Sequence, residues 1–231
     1  MYHPLLIFDG DTDQLITAVL RPGNAHGARG AVAVLKRLVR ALRQRWPGVR
    51  IEVRADSGFA VPALYAWCEA AGVAYTIGPW PHPRRVVYKA EALAQGPNTR
   101  FVVTTRADPP LALYDVYVDR GAPELWIKDL KRACFADRLS DHRFVANQFR
   151  LFLHAAAYWL LDTLRRWLLA AGAERLQLDT LRLHLLKIGG RVREWLTRVR
   201  LYLASSQPGQ QLWALLATRP GRPRILQARR C

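Results

Sequence analysis

The sequence is short of cysteine, of acidic residues and of long apolar runs. Three cysteines stand at scattered positions among 231 residues, which excludes a disulfide framework and a zinc knuckle. The longest apolar stretch, residues 151–161, is about half as long as a membrane-spanning helix needs to be. The first residues show no basic segment followed by an apolar one, so no secretory signal is predicted. These absences favour a cytoplasmic protein.

Asp and Glu number 18 against 35 Lys and Arg, giving a formal net charge of +17 and a pI near 10.8. This excess predicts a polyanionic partner, either a nucleic acid or an anionic membrane surface. Arginine supplies nearly all of the positive charge, and its planar guanidinium suits bidentate contacts with phosphate. An arginine-rich composition is also typical of GC-rich genomes. The hydrophobic share of 51% indicates a folded chain.

Hydrophobic patterning predicts a mixed α/β fold. Residues 3–20 are predicted to form two strands joined by a turn, and residues 30–46 an amphipathic helix. The strand, helix, strand order of residues 50–78 predicts a parallel pair in an α/β sheet. Residues 79–108 are predicted to add antiparallel strands, and residues 113–119 a further strand.

From residue 137 onward the chain is predicted to be almost wholly helical. A long helix is expected to begin at a capping Ser140 and to end at Gly172. Residues 178–204 are predicted to form a second helical portion, broken at Gly189 and Gly190.

Asp56 is the first candidate for chemistry. It ends a predicted strand and is followed by Ser57 and Gly58, a turn that would let its side chain project from the carboxyl edge of a sheet. Open α/β sheets build their sites at that edge. The alternative is that Asp56 caps the next helix, and the sequence leaves both open.

Glu124 is the second candidate. It follows Pro123, which favours a helix start at that point. Four charged residues then fall on one helical row: Arg120, Glu124, Lys128 and Lys131. The alternative is a solvated stripe of salt bridges, each contributing a few tenths of a kcal/mol. Apolar neighbours leave this row as the polar face of the helix, and Tyr117 is expected to precede it on a strand.

The spacing Tyr-x2-Arg-x3-Glu-x6-Lys, carried by Tyr117, Arg120, Glu124 and Lys131, resembles the signature around the third catalytic acid of DDE transposases from bacterial insertion sequences. The blocks RADSGFA, PRRVVYKAEAL and LRLHLLKIGGRV also resemble this family and stand in its order. The resemblance runs from Tyr2 to about Val192.

This resemblance implies a ribonuclease H-like core with a mixed sheet, a β-rich insertion and a helical C-terminal part. Three segments are then expected. Residues 1–78 would form the first part of the core and residues 79–116 the insertion. Residues 117–231 would form the rest of the core, with the third acid and the C-terminal helices.

The resemblance also implies residue roles. Asp56 would be the second acid and Glu124 the third, and both would bind Mg²⁺ or Mn²⁺. In-line attack on a phosphodiester uses two such ions about 4 Å apart. Arg120 and Lys131 would clamp DNA phosphates and Tyr117 would position the DNA backbone. The basic charge around the same place adds Arg54 and Lys128 as candidate phosphate contacts.

The first acid of the family, with its strand, would stand upstream of Tyr2, where this sequence has only Met1. A truncated transposase of weak or no activity is therefore expected. The alternatives are a non-catalytic fragment that binds DNA or an intact transposase, and a basic membrane-surface protein. The spread of arginines along the whole chain disfavours the membrane-surface protein.

The expected partner is double-stranded DNA, at element ends and targets, with no membrane and no small-molecule substrate. The complete protein is expected to be a homo-oligomer of the bacterial cytoplasm, associated with the nucleoid.

Overall fold

The computed structural model describes residues 2–78, 84–94, 96–204 and 206–217. The chain divides into two compact units, residues 1–5 with 20–125 and residues 6–19 with 126–231. Helices and three separate sheets make up the described part, which confirms the predicted mixed α/β class. A ribonuclease H-like arrangement stays a prediction.

The strands are β1 (Leu5–Phe8), β2 (Leu15–Val19), β3 (Glu52–Arg54), β4 (Ala74–Ile77), β5 (Val86–Leu93), β6 (Gly96–Thr104), β7 (Gly190–Trp195) and β8 (Arg198–Leu203). The helices are α1 (Ala31–Arg45), α2 (Pro62–Ala70), α3 (Pro110–Val118), α4 (Ala122–Cys134), α5 (Phe144–Ala170), α6 (Leu178–Leu185) and α7 (Gln210–Ala217).

The first unit is built on a four-stranded sheet in the order β3-β4-β6-β5. Strands β3 and β4 are parallel and α2 connects them, which confirms the strand, helix, strand prediction. Strands β5 and β6 are antiparallel, as expected, and β6 also pairs with β4. The inserted hairpin therefore extends the sheet that contains the parallel pair. Residues 79–83 and 95 lie outside the described residues.

Helices α1 and α2 are tied together at the end of α2. The Arg43 guanidinium of α1 donates to the carbonyls of Ala71 at 2.8 Å and Gly72 at 3.2 Å, so it binds groups that the end of a helix leaves unpaired. Gly72 has a positive φ of 61°, which a residue without Cβ adopts at little cost. Gly72 lies two residues past Ala70, where α2 ends.

The strand expected at residues 113–119 is wrong, because these residues belong to helix α3. Pro109 and Pro110 precede the segment, and a proline at the first helical positions favours a helix. Leu113 is buried with Val87 and Val102, and Tyr117, one turn along the helix, packs against this cluster. Leu113 and Tyr114 are consecutive and both buried, which a helix allows and the alternating faces of a half-buried strand do not.

The second unit packs the 27-residue helix α5 against the sheet of β1 and β2. Trp159 of α5 donates its indole N–H to the carbonyl of Leu15 at 2.6 Å. Phe8 lies with its ring centroid 5.1 Å from that of Trp126. Among the described helices, none has the length and apolar character that crossing a bilayer requires.

Ser140 does not cap α5, contrary to expectation. The helix begins at Phe144, and the chain before it is held by Asn147. The Asn147 amide donates to the carbonyl of Asp141 at 2.6 Å and accepts from the N–H of Asp141 at 3.0 Å. The predicted stop at Gly172 is confirmed by its φ of 88° directly after the helix.

The helix expected across residues 178–204 is wrong in its second half. Helix α6 ends at Leu185, and residues 190–203 form the antiparallel strands β7 and β8. The segment satisfies two periodicities, since Val192, Trp195 and Val199 have helical spacing while Arg and apolar residues alternate along each strand. Gly189 and Gly190 interrupt the helix, and β-branched valines then favour strands.

A buried ion cluster links three elements of the second unit. The Arg165 side chain, 5% exposed, donates to Asp162 at 2.6 Å and to Asp129 at 2.8 Å. Asp129 also accepts from the N–H of Leu178 at 3.4 Å. These groups therefore join α4, α5 and the start of α6.

We expect Arg165→Met to lower the free energy of unfolding by about 3–5 kcal/mol, because the largely buried carboxylate of Asp129 loses its ion pair with Arg165 and Asp162 keeps only its ion pair with Arg166. Urea denaturation measures this loss. Arg150→Gln is the control, since Arg150 is an exposed arginine of the same helix that donates to Ser140, and its effect should stay within about 0.5 kcal/mol. Equal stability of the two variants would contradict the assigned role of the cluster.

Candidate active site

Asp56 lies just beyond the carboxyl end of β3, at the start of a 3₁₀ turn formed by Ser57–Phe59. One carboxylate oxygen accepts a hydrogen bond from the Gly58 N–H at 2.9 Å. The side chain is exposed. Asp56 does not cap the predicted helix, because α2 begins at Pro62 after Val61; it caps the short 3₁₀ turn instead and stands exposed after a strand of a parallel pair.

Two glycines allow the backbone of this turn to approach its neighbours. A Cβ on Gly78 would lie 2.7 to 2.8 Å from backbone and side-chain atoms of Ser57, and a Cβ on Gly27 would lie 2.7 Å from the carbonyl oxygen of Gly58. Real Cβ atoms essentially never come so close. The turn that carries Asp56 is therefore packed against two backbone segments where no side chain fits.

Gly78 is held by Tyr65. The Tyr65 hydroxyl donates to the carbonyl of Gly78 at 2.6 Å in a buried position, and the Tyr65 ring lies edge-on to Tyr75, with centroids 5.1 Å apart. Burial raises the pKa of Tyr65 to about 12. The hydroxyl therefore keeps its proton, and its role as a donor, throughout the physiological range of pH.

Gly27 is held by a buried arginine. Arg21, 6% exposed, donates to the carbonyls of His3 at 3.0 Å, Arg29 at 3.1 Å and Gly27. Burial lowers the pKa of Arg21. One guanidinium thus closes the loop of residues 22–29 and fixes the glycine that faces the Asp56 turn.

Sequence reasoning missed this function of Arg21. Arg21 lies two residues before a short turn at residues 23 and 24. Nothing in the sequence distinguishes Arg21 from the other arginines, since the signal is its burial and the convergence of carbonyls from separate residues.

Glu124 lies in the first turn of α4 and is exposed. A carboxylate is favourable there because the first turn of a helix carries partial positive charge. Lys128 and Lys131, also exposed, follow on the same helix, about 6 and 10.5 Å further along its axis. The predicted row is thus confirmed for these three residues. Arg120 precedes them in a 3₁₀ turn, Asp119–Gly121.

Two other predicted site residues lie on regular elements. Arg54 is the last residue of β3, half-buried, and pairs with Thr76 across the parallel ladder. Tyr117 is half-buried on α3, so its expected position on a strand is wrong. Both stand close in sequence to a candidate acid, Arg54 two residues before Asp56 and Tyr117 before Glu124.

The first unit contains Asp56, Glu124, Arg54, Tyr117 and Arg120, whereas Lys128 and Lys131 belong to the second unit. Across the described ranges, no three His, Cys, Asp or Glu side chains form a group able to hold a metal ion. The convergence of Asp56 and Glu124 on a common ion stays a prediction.

Comparison with known families gives a match over nearly the whole chain. A model of the transposase DDE domain, group 1, matches residues 1–79 and 78–222. No curated protein matches the chain. The matched region includes every candidate site residue named above.

We expect Gly78→Ala to destabilise the protein by about 1–3 kcal/mol, because an added methyl group must displace the backbone of Ser57. Gly189→Ala is the matched control, since a Cβ there meets nothing within 4 Å. Urea denaturation of the two variants makes the comparison. Equal stability would show that the close approach does not constrain the Asp56 turn.

Proposed function

The chain belongs to the DDE transposase family, and from this premise we propose that it cleaves and joins DNA at the ends of its own mobile element. The reaction proposed is metal-dependent attack on a phosphodiester by water or by a 3′ hydroxyl. One observation carries the proposal, namely an exposed carboxylate held just past the end of a strand in a parallel pair. An RNase H-like core is proposed on the same ground.

Members of this family generally use a divalent metal, and the donor chemistry fits one. Asp56 and Glu124 both offer exposed carboxylates from separate elements, and Mg²⁺ and Mn²⁺ prefer such hard oxygen ligands. We propose these two residues as the ligands. A bound ion lowers the pKa of an attacking water and neutralises negative charge on the phosphate.

Residues of the protein itself orient the two carboxylates. The Gly58 N–H engages one oxygen of Asp56 and so restricts how the carboxylate rotates. Gly27 and Gly78 restrict the turn that carries it. Glu124 is fixed by a different means, because a first-turn position in α4 sets the direction of its Cα–Cβ bond.

We propose the basic residues around these acids as phosphate contacts. Lys128 and Lys131 continue the face of α4 that begins with Glu124, so a DNA strand bound at Glu124 would meet positive charge along the helix. Arg54 and Arg120 are proposed to contact phosphates in the same way. Tyr117, whose ring packs on a core cluster, would position the backbone.

The segment boundaries and the setting of the protein are proposals too. The hairpin of β5 and β6 supports an insertion at residues 79–116 between the two acids. The partner proposed is double-stranded DNA, handled by a homo-oligomer in the cytoplasm.

A second candidate is a non-catalytic protein that binds DNA or an intact transposase. The observation that favours it is the number of assigned ligands, since Asp56 and Glu124 are two carboxylates and the family resemblance implies three. Salt-sensitive binding of DNA by the chain, without metal-dependent nicking, would favour this candidate.

We expect Asp56→Ala and Glu124→Ala each to lower Mn²⁺ affinity by more than the 10–100-fold typical of losing an outer-shell group. Paramagnetic titration measures the affinity, and nicking of supercoiled DNA in Mg²⁺ or Mn²⁺ measures activity. Glu174→Ala is the control because Glu174 is exposed and lies outside the proposed site. Unchanged Mn²⁺ affinity in either alanine variant would remove that residue from the proposed site.

A further inference from the structure

The antiparallel strands β7 and β8 form a two-stranded ribbon whose faces differ in chemistry. Directly paired residues project to the same face, and residues alternate between faces along each strand. The register pairs Arg191 with Tyr202, Arg193 with Arg200, and Trp195 with Arg198. One face therefore carries four arginines and two aromatic residues. It is called the arginine face below.

The opposite face is mostly apolar. Its paired residues are Gly190 with Leu203, Val192 with Leu201, and Glu194 with Val199. Glu194 is the one acidic residue of segment 190–203, so the arginine face contains no negative charge. Every residue of the arginine face is exposed, so its four positive charges are presented together to solvent.

Two of the four arginines of the arginine face lie over an aromatic ring. The guanidinium carbons of Arg198 and Arg200 lie 5.3 and 5.6 Å from the centroid of the Trp195 ring, within the range of cation–π attraction. Trp195 is thereby engaged by its own neighbours. The surface offers ordered cations, whereas a stacking platform for unpaired bases needs an open aromatic face.

We propose that the arginine face is a second DNA-contacting surface, which binds the phosphates of double-stranded DNA and lies outside the proposed metal site. It rests on the proposed function only for the choice of DNA as the polyanion. Guanidinium suits phosphate oxygens in bidentate geometry. The four arginines occupy a patch of about 13 by 5 Å, from the strand rise and spacing, and a two-stranded ribbon fits the major groove of about 12 Å.

The test is binding of a fluorescent duplex of arbitrary sequence to the full chain, in EDTA, from 50 to 200 mM salt. The ribbon variant R191Q/R193Q/R198Q/R200Q is compared with R37Q/R40Q/R45Q/R50Q, which removes the same charge from four exposed arginines elsewhere. Each phosphate contact contributes about 0.9 to the salt slope. The slope should fall by about 3.6 in the ribbon variant and by less than about one in the control.

Across this range of salt, the DNA affinity of the unsubstituted protein should therefore fall about 100-fold more than that of the ribbon variant. Equal losses in the two variants would overturn the proposal. Because EDTA removes divalent ions, the result does not depend on cleavage, and a chain without nuclease activity can still satisfy the test. Far-UV circular dichroism confirms that each variant is folded.

A third variant separates charge from misfolding. Replacing the same four arginines by lysine keeps the charge, so the salt slope should stay within about one of the parent. A slope as low as that of the glutamine variant would overturn the proposal. So would preferential binding, through these four arginines, of single-stranded DNA or anionic phosphatidylserine vesicles over the duplex.

Discussion

A backbone contact too close for any side chain holds the turn that carries Asp56, one of the two candidate acids. The turn of Ser57 and Gly58 packs against Gly27 on one side and Gly78 on the other, at positions where a Cβ would collide. Residues outside this turn hold each glycine: Arg21 donates to the carbonyl of Gly27, and Tyr65 donates to that of Gly78. Asp56 is thus exposed to solvent while the backbone that carries it is constrained by buried groups.

The scarcity of acidic residues leaves arginine in excess. Several of the 18 acids form ion pairs with an arginine of their own unit: Glu52 with Arg106, Glu69 with Arg84, and Asp129 and Asp162 with Arg165. These acids stabilise the fold. The arginine excess that remains is concentrated in places such as the β7–β8 ribbon, where no acid shares the face. The fold therefore determines where on the surface the excess positive charge lies.

Sequence patterning located much of the first unit and the candidate acids. Strand β3, helix α2 and strand β4 were predictable because alternation, a Pro start and a Gly stop all agree. Residues 113–119 and 190–203 were assigned wrongly because their apolar positions satisfy both helical and strand periods. The period-two spacing of Arg191 and Arg193, and again of Arg198 and Arg200, on either side of a short turn, could have revealed the ribbon. The close approach at Gly27 and the burial of Arg21 depend on tertiary contacts, which local patterns do not encode.

Loops at protein surfaces generally accept insertions and deletions, but the segment between Arg21 and Arg29 has little such freedom. Its carbonyls at two positions, together with that of His3, meet one guanidinium. One residue more or fewer would shift Gly27 away from the Asp56 turn. The length of this loop is therefore as constrained as the identity of the residues in it. Insertions and deletions among relatives should occur in other loops.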